Sequence, residues 1–156
     1  MATAKLFPFW KLKKAAYYCP SGEQIINGGF ETGDTTGWKV SYTIATSDQA
    51  HSGTYSAHFV TEAYIKQAFS LRVECVQSLT LWVLNEFPPQ NIEVEVIVHY
   101  DDGTSDKHEF VLVAASWTQL DMKPYLTAGK TIDYIQINAP EVPSFWVDDV
   151  SLIGTG

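Results

Sequence analysis

A chain of 156 residues with 46% hydrophobic and 13% aromatic content is the size of one domain and rich enough in apolar side chains to bury a sizeable core. Eighteen carboxylates against ten basic residues give a net charge of −8, which excludes the folded surface as a nucleic-acid platform, because phosphates would be repelled. No stretch approaches the roughly 20 apolar residues of a membrane span, so membrane insertion is excluded as well.

The charge is unevenly distributed along the chain. Lys5, Lys11, Lys13 and Lys14 precede the first acid, Glu23, so residues 1–22 carry +4 and the remainder carries 6 basic residues against 18 acids. Residues 1–24 therefore read as a basic, aromatic N-terminal arm with Phe7, Phe9, Trp10, Lys11, Lys13, Lys14, Tyr17 and Tyr18 as its contact residues. Such an arm suits self-association with neighbouring subunits, since positive charge on one copy meets an acidic body on the next. The segment is not a recognisable signal peptide: its apolar run is short, broken by Pro8 and followed by lysines.

From residue 25 to 156 the chain breaks into short β-branched and aromatic runs separated by Gly, Asp, Pro and Ser. Strands are expected at Tyr55 to Val60, Tyr64 to Leu71, Ser78 to Leu84, Ile92 to Tyr100, His108 to Val113, Trp117 to Met122, Ile132 to Asn138 and Phe145 to Ile153. The run from Ile92 to Tyr100 alternates most cleanly, and Asp102-Gly103 beyond it predicts a hairpin turn. The fold class is all-β, a jelly-roll β-sandwich of about eight or nine strands. Cys19 and Cys75 are the only cysteines. Either they form one disulfide tying the arm to the body or they are two free thiols.

Alternation also sorts outward side chains. Trp82, Glu95, His99, Tyr134, Gln136 and Asn138 form a candidate glycan-binding set, provided their strands are neighbours in one sheet. The aromatic rings would stack on a sugar, and the amides and carboxylate would reach its hydroxyls. An equally open reading makes the partly apolar face around Trp82, Leu84 and Ile97 a protein interface, covered by the arm.

Three segments in order resemble the carbohydrate-binding modules of the galactose-binding-domain-like superfamily. They are Asn27-Gly28-Gly29-Phe30-Glu31 with Gly37-Trp38, then His51-Ser52-Gly53-Thr54-Tyr55-Ser56-Ala57, and Trp146-Val147-Asp148-Asp149-Val150-Ser151-Leu152. The resemblance implies a jelly roll, polysaccharide or cell-surface glycan as partner, and a structural calcium at Glu31 and Asp148 with Asp149 as a substitute. Read from the residues alone, those carboxylates can equally bond loop amides. No nucleophile elbow, phosphate loop, zinc-protease helix or paired-cysteine zinc signature is present, so the chain is not expected to be an enzyme. The His99, Asp101, Asp102, Asp106, His108 and Glu109 cluster is explained by the turn it spans. The expected role is a surface-displayed structural or adhesion subunit, of the virion decoration or extracellular filament type. The alternative is a polysaccharide-targeting module of a glycoside-hydrolase system.

Overall fold

The computed structural model describes residues 18–140 and 144–156. Among these lie nine strands: β1 (Ser21–Glu23), β2 (Lys39–Thr46), β3 (Ser56–Arg72), β4 (Val76–Asn85), β5 (Ile92–Tyr100), β6 (Ser105–Leu112), β7 (Thr118–Asp121), β8 (Thr131–Asn138) and β9 (Phe145–Thr155). All pairings are antiparallel, in the order β6-β5-β8-β3-β9-β4-β7, with β1 added to β9 and β2 to β3. The expected jelly-roll sandwich is the fold observed.

The two strands expected at Tyr55 to Val60 and Tyr64 to Leu71 are one 17-residue strand. Its first part, Ala57 to Phe59, pairs with β9, whereas Tyr64 to Arg72 pairs with β8. Between them Val60, Thr61 and Glu62 are exposed, and Glu62 takes a φ of 66°. One strand thus serves two layers: a first sheet of β6, β5, β8 and the end of β3, and a second of the start of β3, β9, β4 and β7. Strand β2 follows β3 across both, with a bulge between Ser41 and Thr43. That bulge explains why alternation misses β2. Val40, Tyr42 and Ile44 share a parity, yet Tyr42 and Ile44 are exposed and Thr43 is buried, because the inserted residue reverses the faces.

The layers bury the expected stripe of Ile92, Val94, Val96, Val98 and Tyr100 against Leu79, Leu81, Val83, Phe145, Val147 and Leu152. Phe59 and Phe145 stack at the join, with ring centroids 5.1 Å apart. The predicted hairpin is present: Gly103 has a φ of 87° and its N–H donates to the Tyr100 carbonyl at 3.0 Å. Strand β6 begins three residues earlier than expected as a result.

Gln67 is buried among apolar neighbours, and its amide explains the placement. Its Oε1 accepts from the Ile26 N–H at 2.8 Å, while Nε2 donates to the carbonyls of Ile26 and Gly37 at 2.9 and 3.1 Å. One side chain satisfies three backbone groups of the segment that leads into the sandwich.

The last residues of the segment read as the arm are joined to the sheet. Ser21 to Glu23 pair with β9. Cys19 is bonded to Cys75 with Cα atoms 5.1 Å apart, and Tyr18 is 82% exposed. Phe7, Phe9, Trp10, Lys11, Lys13, Lys14 and Tyr17 lie outside the described residues. The bridge closes a loop with a sequence separation of 56. Cys75→Ala, or reduction, is expected to cost about 2–5 kcal/mol, because the unfolded chain regains the entropy of that loop. Calorimetry with and without reductant measures it, and an unchanged melting temperature would contradict it.

Candidate glycan-binding face

The outward side of the first sheet is built in register. Lys107, Ile97, Gln136, Lys66 and Lys39 form one row across β6, β5, β8, β3 and β2. Glu109, Glu95, Asn138, Tyr64 and Ser41 form the next, and Ser105, His99, Tyr134 and Ala68 the one on the other side. Five of the six predicted residues, Glu95, His99, Tyr134, Gln136 and Asn138, therefore share this face.

A polar chain runs through it. Gln136 Nε2 donates to Asn138 Oδ1 at 2.8 Å, Asn138 Nδ2 donates to Glu95 Oε1 at 2.7 Å, and Lys107 Nζ lies 3.5 Å from Glu95 Oε2. Linked amides and a carboxylate present donors and acceptors at fixed spacing, which vicinal hydroxyls can match. Beside them is a shallow cavity of about 270 Å³ lined by Glu62, Tyr64, Gln136, Asn138 and Pro140. The cavity adds Tyr64 to the site. Its outward direction follows from alternation, but Gln67, three residues on and on the buried side, obscures the register.

Tyr134 has a different part from the one expected of it. His99 lies parallel to its ring at 4.5 Å and 6°, and Lys66 Nζ is 3.8 Å from the ring centroid. These neighbours arrive from the opposite flanking strands, so both ring faces are occupied and Tyr134 offers an edge and a hydroxyl. His99 Nδ1 is held at 2.6 Å from Asp133 Oδ1.

Trp82 is not part of this face, a correction to the predicted set. Its strand β4 pairs with β7 and β9, opposite Gln119 and Asp148, so it belongs to the second sheet. Parity tells which side of a sheet a residue occupies and is silent on which sheet that is. There Trp82 stacks on His51 at 3.9 Å, and Trp117 meets His51 edge-on at 5.7 Å.

Glu31, Asp148 and Asp149 converge on the loop of residues 51–55. Glu31 accepts from the N–H groups of Thr54 at 2.7 Å and Tyr55 at 3.2 Å, and Asp148 Oδ2 from those of His51 at 2.8 Å and Ser52 at 3.2 Å. Asp149 Oδ2 bonds Ser52 Oγ and lies 2.7 Å from His51 Nδ1. Gly53 is required, since a Cβ there would run into the Glu31 carboxylate and its φ is 65°. Burial pushes the Asp148 carboxyl up to about 6, against loop amides that favour its charged form and with Asp149 adding to the rise. Among the described residues no group of three or more His, Cys, Asp or Glu side chains stands in a metal-holding arrangement. As placed, Glu31 and Asp148 serve loop amides, and Asp149 serves the Ser52 hydroxyl and the His51 ring. The hairpin cluster disperses too: Asp102 caps Thr104, Asp106 accepts from Tyr100 Oη at 2.5 Å, and His108 stacks on Tyr125 at 3.7 Å.

No protein-family model matches the sequence, and no curated protein matches it. Solved structures do, and the fold they share with this chain is the jelly roll seen in several carbohydrate-binding modules. TmCBM61 in complex with β-1,4-galactotriose superposes with a TM-score of 0.62 at 18% identity, covering 86% of this chain and 99% of that one. The CBM22-1 xylan-binding domain from Paenibacillus barcinonensis Xyn10C gives 0.63 at 13% identity, over 88% and 97%. The enzymatically active domain of bacteriophage CBA120 tailspike protein 4 gives 0.59 at 14%, over 85% of this chain but 21% of that one. At these identities the likeness establishes the fold, and function must be argued from the site.

Glu31→Gln is expected to lower stability by about 1–3 kcal/mol, because two loop amides lose a charged acceptor. Urea denaturation measures it, and a change below about 0.5 kcal/mol would show that the loop is held by other bonds.

Proposed function

We propose that the chain is a non-catalytic glycan-binding module that takes its ligand along the outward face of the first sheet. The observation that carries this reading is the row of Glu95, Asn138 and Tyr64 beside Gln136: a bonded polar chain next to a tyrosine and an open cavity. Similar folds, one in complex with β-1,4-galactotriose and one a xylan-binding domain, support it. A sugar ring seated on Tyr64 would place its hydroxyls against Gln136 and Asn138, with His99 and the Tyr134 hydroxyl one row further on. An extracellular setting agrees with the Cys19–Cys75 bridge.

A glycan array with the full chain tests this. Binding to at least one polysaccharide is expected, with Asn138→Ala and Tyr64→Ala each weakening it about tenfold, equivalent to ~1.4 kcal/mol. Trp82→Ala should leave it unchanged. A wild-type chain that binds nothing on the array sinks the reading.

A structural or adhesion subunit, of virion decoration or filament type and anchored by its N-terminal arm, is the second reading. It is favoured by the apolar character of the second sheet's outer side, around Trp82, Trp146 and Ile44. A targeting module of a glycoside-hydrolase system is the alternative under the first reading. Structural calcium at Glu31, Asp148 and Asp149 belongs to the proposal as well, supported by their hard oxygens and by the strain that burial puts on a charged Asp148. Calcium is expected to raise the melting temperature and a chelator to reverse it, since a ligand bound only to the folded state stabilises it. An identical melting temperature with calcium and chelator would remove the ion.

A further inference from the structure

Residues 23–156 hold six basic side chains against 18 carboxylates. Three of the six, Lys39, Lys66 and Lys107, stand in one row on the outward face of the first sheet. The other three are tied to acceptors of the protein itself: Arg72 to Glu74 at 3.1 Å, Lys123 to the Gln77 carbonyl at 3.0 Å, and Lys130 to Thr104 Oγ1, with Asp102 at 3.4 Å. Lys107 is likewise held, by Glu95. Lys39 and Lys66 differ from these four. Neither has an ion-pair partner among the described residues.

They are also direct cross-strand partners, Lys39 on β2 opposite Lys66 on β3. Like charges placed directly opposite one another destabilise a sheet. The repulsion would be relieved by a carboxylate between them, yet in a domain this acidic none of the described carboxylates stands there.

The surroundings of the pair fit an acidic sugar. Lys66 Nζ lies 3.8 Å from the Tyr134 ring centroid, which fixes the ammonium beside the strand that carries Gln136 and Asn138. Tyr64 precedes Lys66 by two residues on the same side of β3, ~6.6 Å away at about 3.3 Å per residue, roughly the reach of one sugar ring with its exocyclic group. Ser41 and Lys39 face these two from β2. The carboxylates of this face lie elsewhere: Glu93, Glu95 and Glu109 are on β5 and β6, across β8 from the lysine pair, Asp133 is bonded to His99, and Glu62 lies beyond Tyr64 on the side away from Lys66. The net charge of −8 acts against an anion only at long range, and at about 0.1 M salt charges beyond ~10 Å are screened, so the local pair decides.

We infer that the first sheet takes an acidic polysaccharide, with a carboxylate or sulfate ester of the sugar held between Lys39 and Lys66. The ring then lies on Tyr64, and its hydroxyls meet Gln136 and Asn138. Charge-assisted hydrogen bonds to the two ammonium groups neutralise the like-charged pair, so the bound anion removes a repulsion that the free protein bears. This assignment rests on the glycan reading of the face and adds to it the charge of the ligand.

Biolayer interferometry with the full chain over immobilised polysaccharides tests it. Polygalacturonate and alginate carry carboxylates, κ-carrageenan carries sulfate esters, and β-1,4-galactan and unsubstituted xylan carry no charge. At least one charged polysaccharide is expected to bind about tenfold tighter than either neutral one, and ~0.5 M NaCl to weaken it about tenfold; the charged set preferred identifies the anion. Lys39→Gln and Lys66→Gln should each cut that binding about tenfold, whereas Lys123→Gln should leave it unchanged. Without ligand, Lys39→Gln should melt at or above the wild-type temperature, since it removes one of two opposed charges; a lower temperature would contradict the repulsion. Equal binding of neutral and charged polysaccharides, or charged binding that ignores Lys39 and Lys66 or falls equally with Lys123→Gln, overturns the acidic ligand and leaves the glycan face standing. Binding to none of the five sinks both.

Discussion

Strand β3 has to satisfy two sheets at once, and the arrangement of the molecule follows from how it does so. Its first part completes the sheet of β9 and β4, its last part completes that of β8 and β5, and exposed residues at Val60 to Glu62 absorb the change of direction. Because Tyr64 and Lys66 follow that bend directly, they are delivered to the outward side beside Gln136 and Asn138. The same strand turns Gln67 inward, where its amide holds the backbone of Ile26 and Gly37. The candidate binding face and the packing of the first loop are thus two sides of one strand. A change that shifted β3 by a single residue would exchange them.

The loop of residues 51–55 shows a second constraint. Its backbone N–H groups at His51, Ser52, Thr54 and Tyr55 donate to side-chain carboxylates. Glu31 and Asp148 supply the acceptors, Asp149 takes the Ser52 hydroxyl and the His51 ring, and His51 closes the arrangement by stacking on Trp82. Carboxylates that read as candidate metal ligands in the sequence are engaged in holding this loop, and the loop in turn lays His51 on Trp82.

Much of the fold was legible because its strongest signals are local. The alternation of Ile92 to Tyr100, the Asp102-Gly103 turn and the three family-like segments all depend on neighbours in sequence. The misses share one cause, which is that sheet membership is decided by partners far along the chain. Trp82 points outward as alternation requires, yet β4 pairs with β9 and β7, so it joins the opposite face. Strand β2 was hidden by a bulge at Tyr42, whose φ of 52° inverts the pattern. Tyr134 was read as a stacking platform because one side chain's direction is visible in sequence, whereas the neighbours that fill both its faces, His99 and Lys66, are a property of the register.

The Cys19–Cys75 bond also has a mechanical meaning. Tension applied at the N-terminus passes at Cys19 into Cys75 and from there into β4, which is held between β9 and β7. The three-residue β1 and the whole segment from Pro20 to Glu74 are bypassed. Pulling would therefore have to shear a strand from the middle of a sheet, where many hydrogen bonds break together, instead of peeling a short edge strand one bond at a time. With the bond reduced, the same pull would unzip β1 first.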